Sequence, residues 1–519
     1  MARIITAAEA AALVKDRSTL AVGGFAAYAV PETLLYELSR RFDDTASPEG
    51  ITVTCGICPG DYSRDSVGLN RIAKKGLVDT VIAAHFGNPP LIGDMVAENL
   101  VAGYALPLGV MVHLFEAIAG HKSAVLTHIG LGTFADPREE GCRINDRARE
   151  QKRTVVELLH VAGKEQLAYL TFPIDICFVR ASLADADGNL SVEQEAVGDV
   201  TFGIAAATHN CGGIVIAEVE KIVAAGTLNP RNVIAHASLV DYVVQADPGL
   251  YRQGYAAVYR PELCGRKRIE PHTLPPLTMS NRKLIARRAA MELSPGGLIN
   301  LGIGIPSGIG SVANEEGIAA TLSLESGPQG GVPLDGLGFG ANVNAEAIYS
   351  LSDTFHLYDG GVLSMSFLGA AEIDEAGNVN VSRFGKSCTG PGGFINISQS
   401  TPKVCFVCTF TAGGLKEEIR GGRLVILQEG QQKKFVKSVQ QITFSGKYAR
   451  NTHQEVLFIT ERAVFRLTED GLLLTEIAPG IELERDIFSK MEFRPLVSEK
   501  LSLMDPRIFR DALMGQNRL

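Results

Sequence analysis

The sequence predicts an α/β protein built from two related open domains. Helical and strand patterns alternate along each half of the chain, and the order of elements near the N-terminus recurs near residue 280. A turn motif repeats at one fixed offset. At 519 residues the chain exceeds what one hydrophobic core organises, so two or more domains are expected.

The first half opens on Thr6-Ala-Ala-Glu9, a capping-box pattern ahead of an Ala/Leu/Val helix. Leu20-Ala-Val22 reads as a short strand and runs into Gly23-Gly24. Pro31 starts a second helix whose Leu34, Leu35, Leu38 and Phe42 share one face. In the second half Ser280 precedes a helical stretch through Leu293, closed by Pro295-Gly-Gly297. Leu298-Ile-Asn-Leu301 reads as a strand, and Gly302-Ile-Gly304-Ile-Pro306 turns the chain. Asp185-Ala-Asp-Gly188-Asn189-Leu190-Ser-Val192 matches Asp374-Glu-Ala-Gly377-Asn378-Val379-Asn-Val381, each position 189 apart (374 against 185). The shared pattern reads as a tight turn feeding a strand.

Between the halves, residues 266–278 are basic and proline-rich, which favours extended backbone and a linker. The expected domains are therefore 1–272 and 273–519.

Composition narrows the function. The formal net charge of −9 argues against a generic nucleic-acid binder, whose footprint is basic. No run of 18 apolar residues suggests a membrane span, and the N-terminus lacks a signal-peptide core. The nine cysteines are scattered and odd in number, so free thiols in a reducing, cytoplasmic setting are expected. Cys55-Gly-Ile-Cys58 and Cys405-Phe-Val-Cys408 match C-x-x-C, but the second sits in a buried-strand pattern where packing explains it. His113, His121 and His128 fit no tight ligand spacing, so no metal site is expected. Gly23-Gly24-Phe25 and Gly302-Ile-Gly304 lack the third glycine of a dinucleotide fingerprint; position 307 is Ser307. No G-x-S-x-G is present.

The most informative segment is residues 321–331. Thr321-Leu-Ser-Leu324 alternates like a strand and leads into Glu325, followed by Ser-Gly-Pro-Gln-Gly-Gly331. That places a carboxylate at a strand end beside unshielded backbone, where it can attack an activated acyl group. From pattern alone, a strand-end carboxylate bound to loop N–H groups explains Glu325 equally well. Gly390-Pro-Gly392-Gly393-Phe394 is a third glycine cluster, ahead of the strand-like Phe394-Ile-Asn-Ile397. It reads as a turn whose exposed N–H groups could form an oxyanion hole.

Together these segments resemble the family I coenzyme A transferases, in particular the fused two-domain propionate/acetate type. The resemblance rests on Gly23-Gly24-Phe25 with Pro31-Glu32, on Gly130-Leu-Gly-Thr-Phe-Ala-Asp-Pro137, on Glu325-Ser-Gly-Pro-Gln-Gly-Gly331, on Gly392-Gly-Phe-Ile-Asn-Ile397, and on Glu476-Ile-Ala-Pro-Gly-Ile481. It implies two domains of the CoA-transferase type with the active site at their interface. It also implies short-chain acyl-CoA and free carboxylates as substrates, and CoA as substrate and covalent intermediate with no permanently bound cofactor. A homo-oligomer, dimer or tetramer, is implied as well. Glu325 becomes the nucleophile, ionised at neutral pH. Gly392 and Gly393 become the oxyanion or CoA-binding backbone. Gly24, Phe25, Leu108 and Gly109 become pocket residues. One departure stands out: Pro107-Leu108-Gly109 occupies a segment that is often P-Q-G in the family, and Leu108 cannot donate a hydrogen bond. Two other readings stay open, an acyl-CoA hydrolase using the same intermediate and a non-catalytic metabolite binder on the same fold.

Overall fold

The computed structural model describes residues 2–198 and 200–515. Two large twisted sheets organise them. The first runs Arg3–Ile4, Tyr242–Gln245, Ile214–Val223, Ile176–Asp185, Thr19–Val22, Ile51–Thr54, Val78–Ala83, Ala102–Ala105, every neighbouring pair parallel. The second contains Thr321–Ser323, Leu298–Leu301, Leu363–Gly369, Lys403–Val407 and Glu455–Ile459 as a parallel core, extended by antiparallel strands.

Five strands of each sheet follow the same spatial order. Ile51–Thr54, Thr19–Val22, Ile176–Asp185, Ile214–Val223 and Tyr242–Gln245 correspond in turn to the five parallel strands of the second sheet. The repeated turn occupies equivalent places in both halves. Asp185 Oδ1 accepts the backbone N–H of Asp187, Gly188 and Asn189, while Asn189 donates its amide to Asp185 Oδ2. Asp374 Oδ1 likewise accepts from Ala376 and Asn378, and Asn378 donates to Asp374 Oδ2. The aspartate satisfies the turn's donors and so fixes where the next strand begins.

Local chemistry follows the sequence at most element ends. Thr6 Oγ1 accepts the Glu9 N–H at 3.2 Å and Glu9 Oε2 accepts the Thr6 N–H at 2.8 Å, closing the capping box on Ala7–Ala12. The Glu32–Thr45 helix buries Leu34, Leu35 and Leu38. Ser280 caps Asn281–Ala290, a helix that stops short of Leu293. The linker is not loose: Asn344 bonds both the N–H and the C=O of Ile269. Cys405 and Cys408 are buried on or beside the Lys403–Val407 strand.

One element differs in type. Phe394–Ser400, read as strand-like, is a helix. Its residues from Phe394 to Gln399 are all buried, and a short run buried on every side carries no periodicity that separates helix from strand.

The two halves meet through a dense set of backbone contacts. The Leu108 N–H donates to Gly392 O at 2.9 Å, Gly392 N–H to Ala84 O at 2.9 Å, Phe86 N–H to Thr389 O at 2.7 Å and Phe134 N–H to Ile442 O at 2.8 Å. Gly130 N–H donates to Gln399 Oε1 at 2.7 Å, and Gln399 returns its amide to Leu131 O. Among the described residues no helix is long and apolar enough to cross a membrane.

Candidate active site

A cavity of about 1150 Å³ lies where the halves meet. Its wall is made largely by residues just beyond the C-terminal ends of parallel strands. Phe25 follows Thr19–Val22, Ile57 follows Ile51–Thr54, and His85 follows Val78–Ala83. Gly302 follows Leu298–Leu301, Glu325 follows Thr321–Ser323, and Ala370 follows Leu363–Gly369. In open α/β sheets that edge is where ligands bind, because the chain leaves the sheet there as loops. Here two such edges share one cavity.

Glu325 sits at the turn out of its strand. Leu324 N–H donates to Pro328 O and Gly327 N–H to Leu324 O, so the chain doubles back directly after the carboxylate. Gly327 adopts φ +115°, a conformation open to glycine. The Gly198 N–H, from the first half, donates to Ser326 O at 2.6 Å and pins the turn from across the interface.

The carboxylate itself is poorly satisfied. Its Oε2 is buried and makes no hydrogen bond. Burial pushes its pKa up to about 7, while its own backbone N–H and the Asn300 amide pull the other way. The expectation of full ionisation at neutral pH is therefore corrected: burial brings the titration of this carboxyl close to neutrality. Asn300 arrives through register. It pairs with Ser323, two residues before Glu325, and donates to Ser323 O and to the Tyr358 hydroxyl, each at 3.3 Å.

Gly393 lies against this carboxylate. A Cβ there would stand 3.3 Å from Glu325 Cγ, 3.3 Å from the Phe355 ring and 3.2 Å from Ile397 Cδ1, so only glycine fits without movement. Gly392 also lines the cavity, but its N–H is taken up by Ala84 O. As an oxyanion donor Gly392 is thus corrected, and Gly393 is left as the glycine packed beside the glutamate.

The pocket residues expected from the sequence divide. Phe25 is on the cavity wall. Gly24, Leu108 and Gly109 are not. Gly24 turns the chain behind Phe25, facing the Ala29 and Tyr28 carbonyls. Leu108 is wholly buried and packs towards Gly56 at the start of the Leu108–Ala119 helix. Gly109 is pressed against the Asn396 amide and donates its N–H to Asn396 Oδ1 at 3.1 Å. Leu108 and Gly109 hold the interface rather than the ligand.

Sequence reading missed Tyr62, His85, Asn88 and Asn300. The first three sit on loops of the first half that line the cavity. His85 Nδ1 lies 2.9 Å from Asn88 Oδ1, and burial pushes the imidazole pKa down to about 4, so the ring is neutral. Asn88 is 1% exposed, and its amide nitrogen has no hydrogen-bond partner. For those three the available signal was position: each follows the C-terminal end of a parallel strand. On the second half's rim, Lys433 and Lys434 place their ammonium groups on the Met491 and Ala370 carbonyls at 3.1 and 3.2 Å.

A cleft between the halves with a desolvated carboxylate, a glycine packed beside it and lysines on its rim suits acyl transfer. The sequence comparisons name the family. Residues 4–246 match the family model described as Coenzyme A transferase. The whole chain is 41% identical to the caffeate CoA-transferase of Acetobacterium woodii, covering 99% of this chain and 100% of that protein. It is 40% identical to the acetate CoA-transferase YdiF of Escherichia coli O157:H7, over 99% and 96%. The crystal structure of YdiF apoenzyme superposes with a TM-score of 0.93, covering 99% of this chain and 97% of that one. A YdiF structure described as a thioester complex with CoA gives 0.92 at the same coverage. This chain belongs to the coenzyme A transferase family. It is a CoA-transferase of the fused, single-chain type, related to the succinyl-CoA:3-ketoacid enzymes.

Proposed function

We propose that Glu325 is the nucleophile of a ping-pong transfer of CoA between short-chain acyl-CoA and free carboxylates. The observation that carries this is the Glu325 carboxylate, buried and with its Oε2 unbonded on the wall of the cavity between the halves. Its anion attacks the thioester carbonyl; the C–S bond breaks, leaving an acyl-glutamyl anhydride and CoA thiolate. The thiolate then attacks the glutamyl carbonyl and expels the first carboxylate, so the enzyme holds a glutamyl-CoA thioester. A second carboxylate attacks that thioester, and the steps run in reverse to release the new acyl-CoA.

Each attack puts negative charge on a carbonyl oxygen. The backbone at Gly393, packed against the Glu325 side chain, is the assigned donor to that oxygen, and removing such a donor typically costs about 10²–10³ in rate. Lys433 and Lys434 on the rim supply positive charge for the phosphates of CoA. Binding that remote part of the substrate gives a weak nucleophile its leverage, while the closed interface keeps water from the two reactive intermediates. The caffeate and acetate specificities of its relatives bracket the acyl groups to be tried. The functional unit is a homo-oligomer.

Intact-protein mass after incubation with acetyl-CoA or propionyl-CoA, followed by borohydride, tests the assignment. A CoA-sized gain that disappears in Glu325→Gln supports it. An adduct that persists in that variant, or no adduct at all, refutes it. Thioester loss without an acceptor acid identifies a hydrolase instead.

A further inference from the structure

We propose that His85 is a further catalytic residue, an imidazole whose Nε2–H donates a hydrogen bond to the carbonyl oxygen of the acyl group under attack. The proposal rests on the reading of Glu325 as the nucleophile, and it adds a side-chain donor to the backbone at Gly393.

Both halves of the chain fix where the ring stands. The Cys58 N–H donates to His85 O at 3.0 Å. The second half holds the residues on either side: Gly392 N–H donates to Ala84 O at 2.9 Å, and Phe86 N–H to Thr389 O at 2.7 Å. The His85 side chain is half-buried on the cavity wall. Gly87 leaves it room. A Cβ at position 87 would stand 2.7 Å from His85 Cε1 and 3.3 Å from Nε2, pushing the ring aside or covering that nitrogen.

The hydrogen-bond partners decide which ring nitrogen carries the proton. The Gly87 N–H donates to Nδ1 at 3.2 Å, a bond that needs the lone pair there. The Asn88 amide meets the same nitrogen at 2.9 Å. With its carbonyl towards the ring, Nδ1 would need a proton that crowds the Gly87 N–H, and the buried Asn88 nitrogen would stay unbonded. The two ends of an amide are told apart by their partners. With the amide nitrogen towards the ring, Nδ1 accepts from both N–H groups. The Asn88 carbonyl then faces the Tyr62 phenol, whose pKa burial pushes up, so that hydroxyl keeps its proton and donates. The one proton of the neutral imidazole is left on Nε2.

Nε2 has no hydrogen-bond partner among the described residues and is not enclosed, so its N–H is free for a ligand. It lies at the Glu325 end of the cavity: the Glu325 charge acts on the Tyr62 phenol, and that phenol borders the Asn88 amide. Burial pushes the imidazole pKa down to about 4, so the ring stays neutral at working pH. A neutral donor does not bind the resting glutamate anion as a cation would. Its hydrogen bond strengthens as charge develops on the acyl oxygen, which is where a donor accelerates the reaction.

Intact mass in single turnovers with acetyl-CoA gives the rate of CoA adduct formation for wild type, Glu325→Gln, His85→Phe and His85→Gln. Phenylalanine keeps a ring and removes the donor; glutamine places an amide N–H near the position of Nε2. His85→Phe is expected to form the adduct about 10²–10³ times more slowly, and His85→Gln to stay within about 10-fold of wild type with the same pH dependence. Both keep wild-type affinity for free CoA. A wild-type rate in His85→Phe, a His85→Gln as slow as His85→Phe, or loss of CoA affinity in both variants overturns the proposal and leaves Glu325 in place. No adduct in wild type, or one that persists in Glu325→Gln, overturns both readings.

Discussion

Replacing Glu325 with glutamine is expected to abolish transfer and, in the same molecule, to stabilise the fold at alkaline pH. Glutamine keeps the shape and removes the charge. The wild-type carboxyl titrates near 7 in the fold, against an ordinary value of 4.5. One pKa unit corresponds to about 1.4 kcal/mol. A folded-state value raised above the unfolded one means that the native state holds the proton more tightly. The stability this gives is complete below 4.5 and is lost as pH rises through 7. At pH 8 the buried anion therefore costs the wild type up to about 3 kcal/mol, and at pH 5 less than about 1 kcal/mol. Water in the cavity screens part of this, leaving about 1–3 kcal/mol at pH 8. Unfolding entropy of about 2.1 cal/mol/K per residue converts that to an upward shift of about 1–3 °C for the whole chain as one cooperative unit. Thermal midpoints of both proteins from pH 5 to pH 8 read it directly. The variant should gain on the wild type as pH rises. A difference that is flat with pH, or that favours the wild type at pH 8, would show that desolvation is not what raises the Glu325 pKa.

Formation of the acyl-enzyme needs the anion, so its single-turnover rate should rise with pH through a midpoint near 7 and then level; a midpoint near 4.5 would contradict the burial. Gly393→Ala inserts a methyl 3.3 Å from Glu325 Cγ, displaces the carboxylate and should lower kcat by about 10²-fold with a small change in thermal midpoint. Asn396→Ala frees the Gly109 N–H and the Asp359 carboxylate, and should destabilise the interface by about 1–3 kcal/mol in urea titration.

The fold was legible where a signal is local. The Thr6–Glu9 box and Ser280 mark helix starts through backbone donors that their side chains satisfy, and Pro31 through its ring-fixed φ; such signals need no tertiary context. The repeated turn was legible because the Asp-x-x-Gly-Asn segment is stabilised within itself. Phe394–Ser400 was misread because burial on all sides erases the pattern that amphipathic faces leave. The glutamate was legible as a strand-end carboxylate, but its protonation was not. That depends on burial and on Asn300, which the tertiary packing and sheet register of the second half bring to it. For the same reason Leu108 looked like a pocket residue in the motif, yet its side chain points into packing against Gly56.

The raised pKa also has a chemical use that an ordinary surface carboxylate lacks. Both covalent states of Glu325, the anhydride and the thioester, are uncharged at the glutamyl oxygens. Desolvation that penalises the free anion therefore favours both adducts over the resting enzyme. A shift of about 2.5 units, from 4.5 to about 7, is worth up to about 300-fold in that partition. The Asn300 amide works against this, since it stabilises the anion. Asn300→Ala should then move the balance towards the thioester and raise the pH midpoint of acylation above 7. The variant also loses bonds to Ser323 and Tyr358, so its overall rate is ambiguous. The equilibrium fraction of glutamyl-CoA enzyme, measured by intact mass at fixed acyl-CoA and acid, is not. A smaller fraction than wild type at pH 8 would mean that the amide stabilises the covalent states instead, and that Asn300 belongs with Gly393 as a donor to the developing oxyanion.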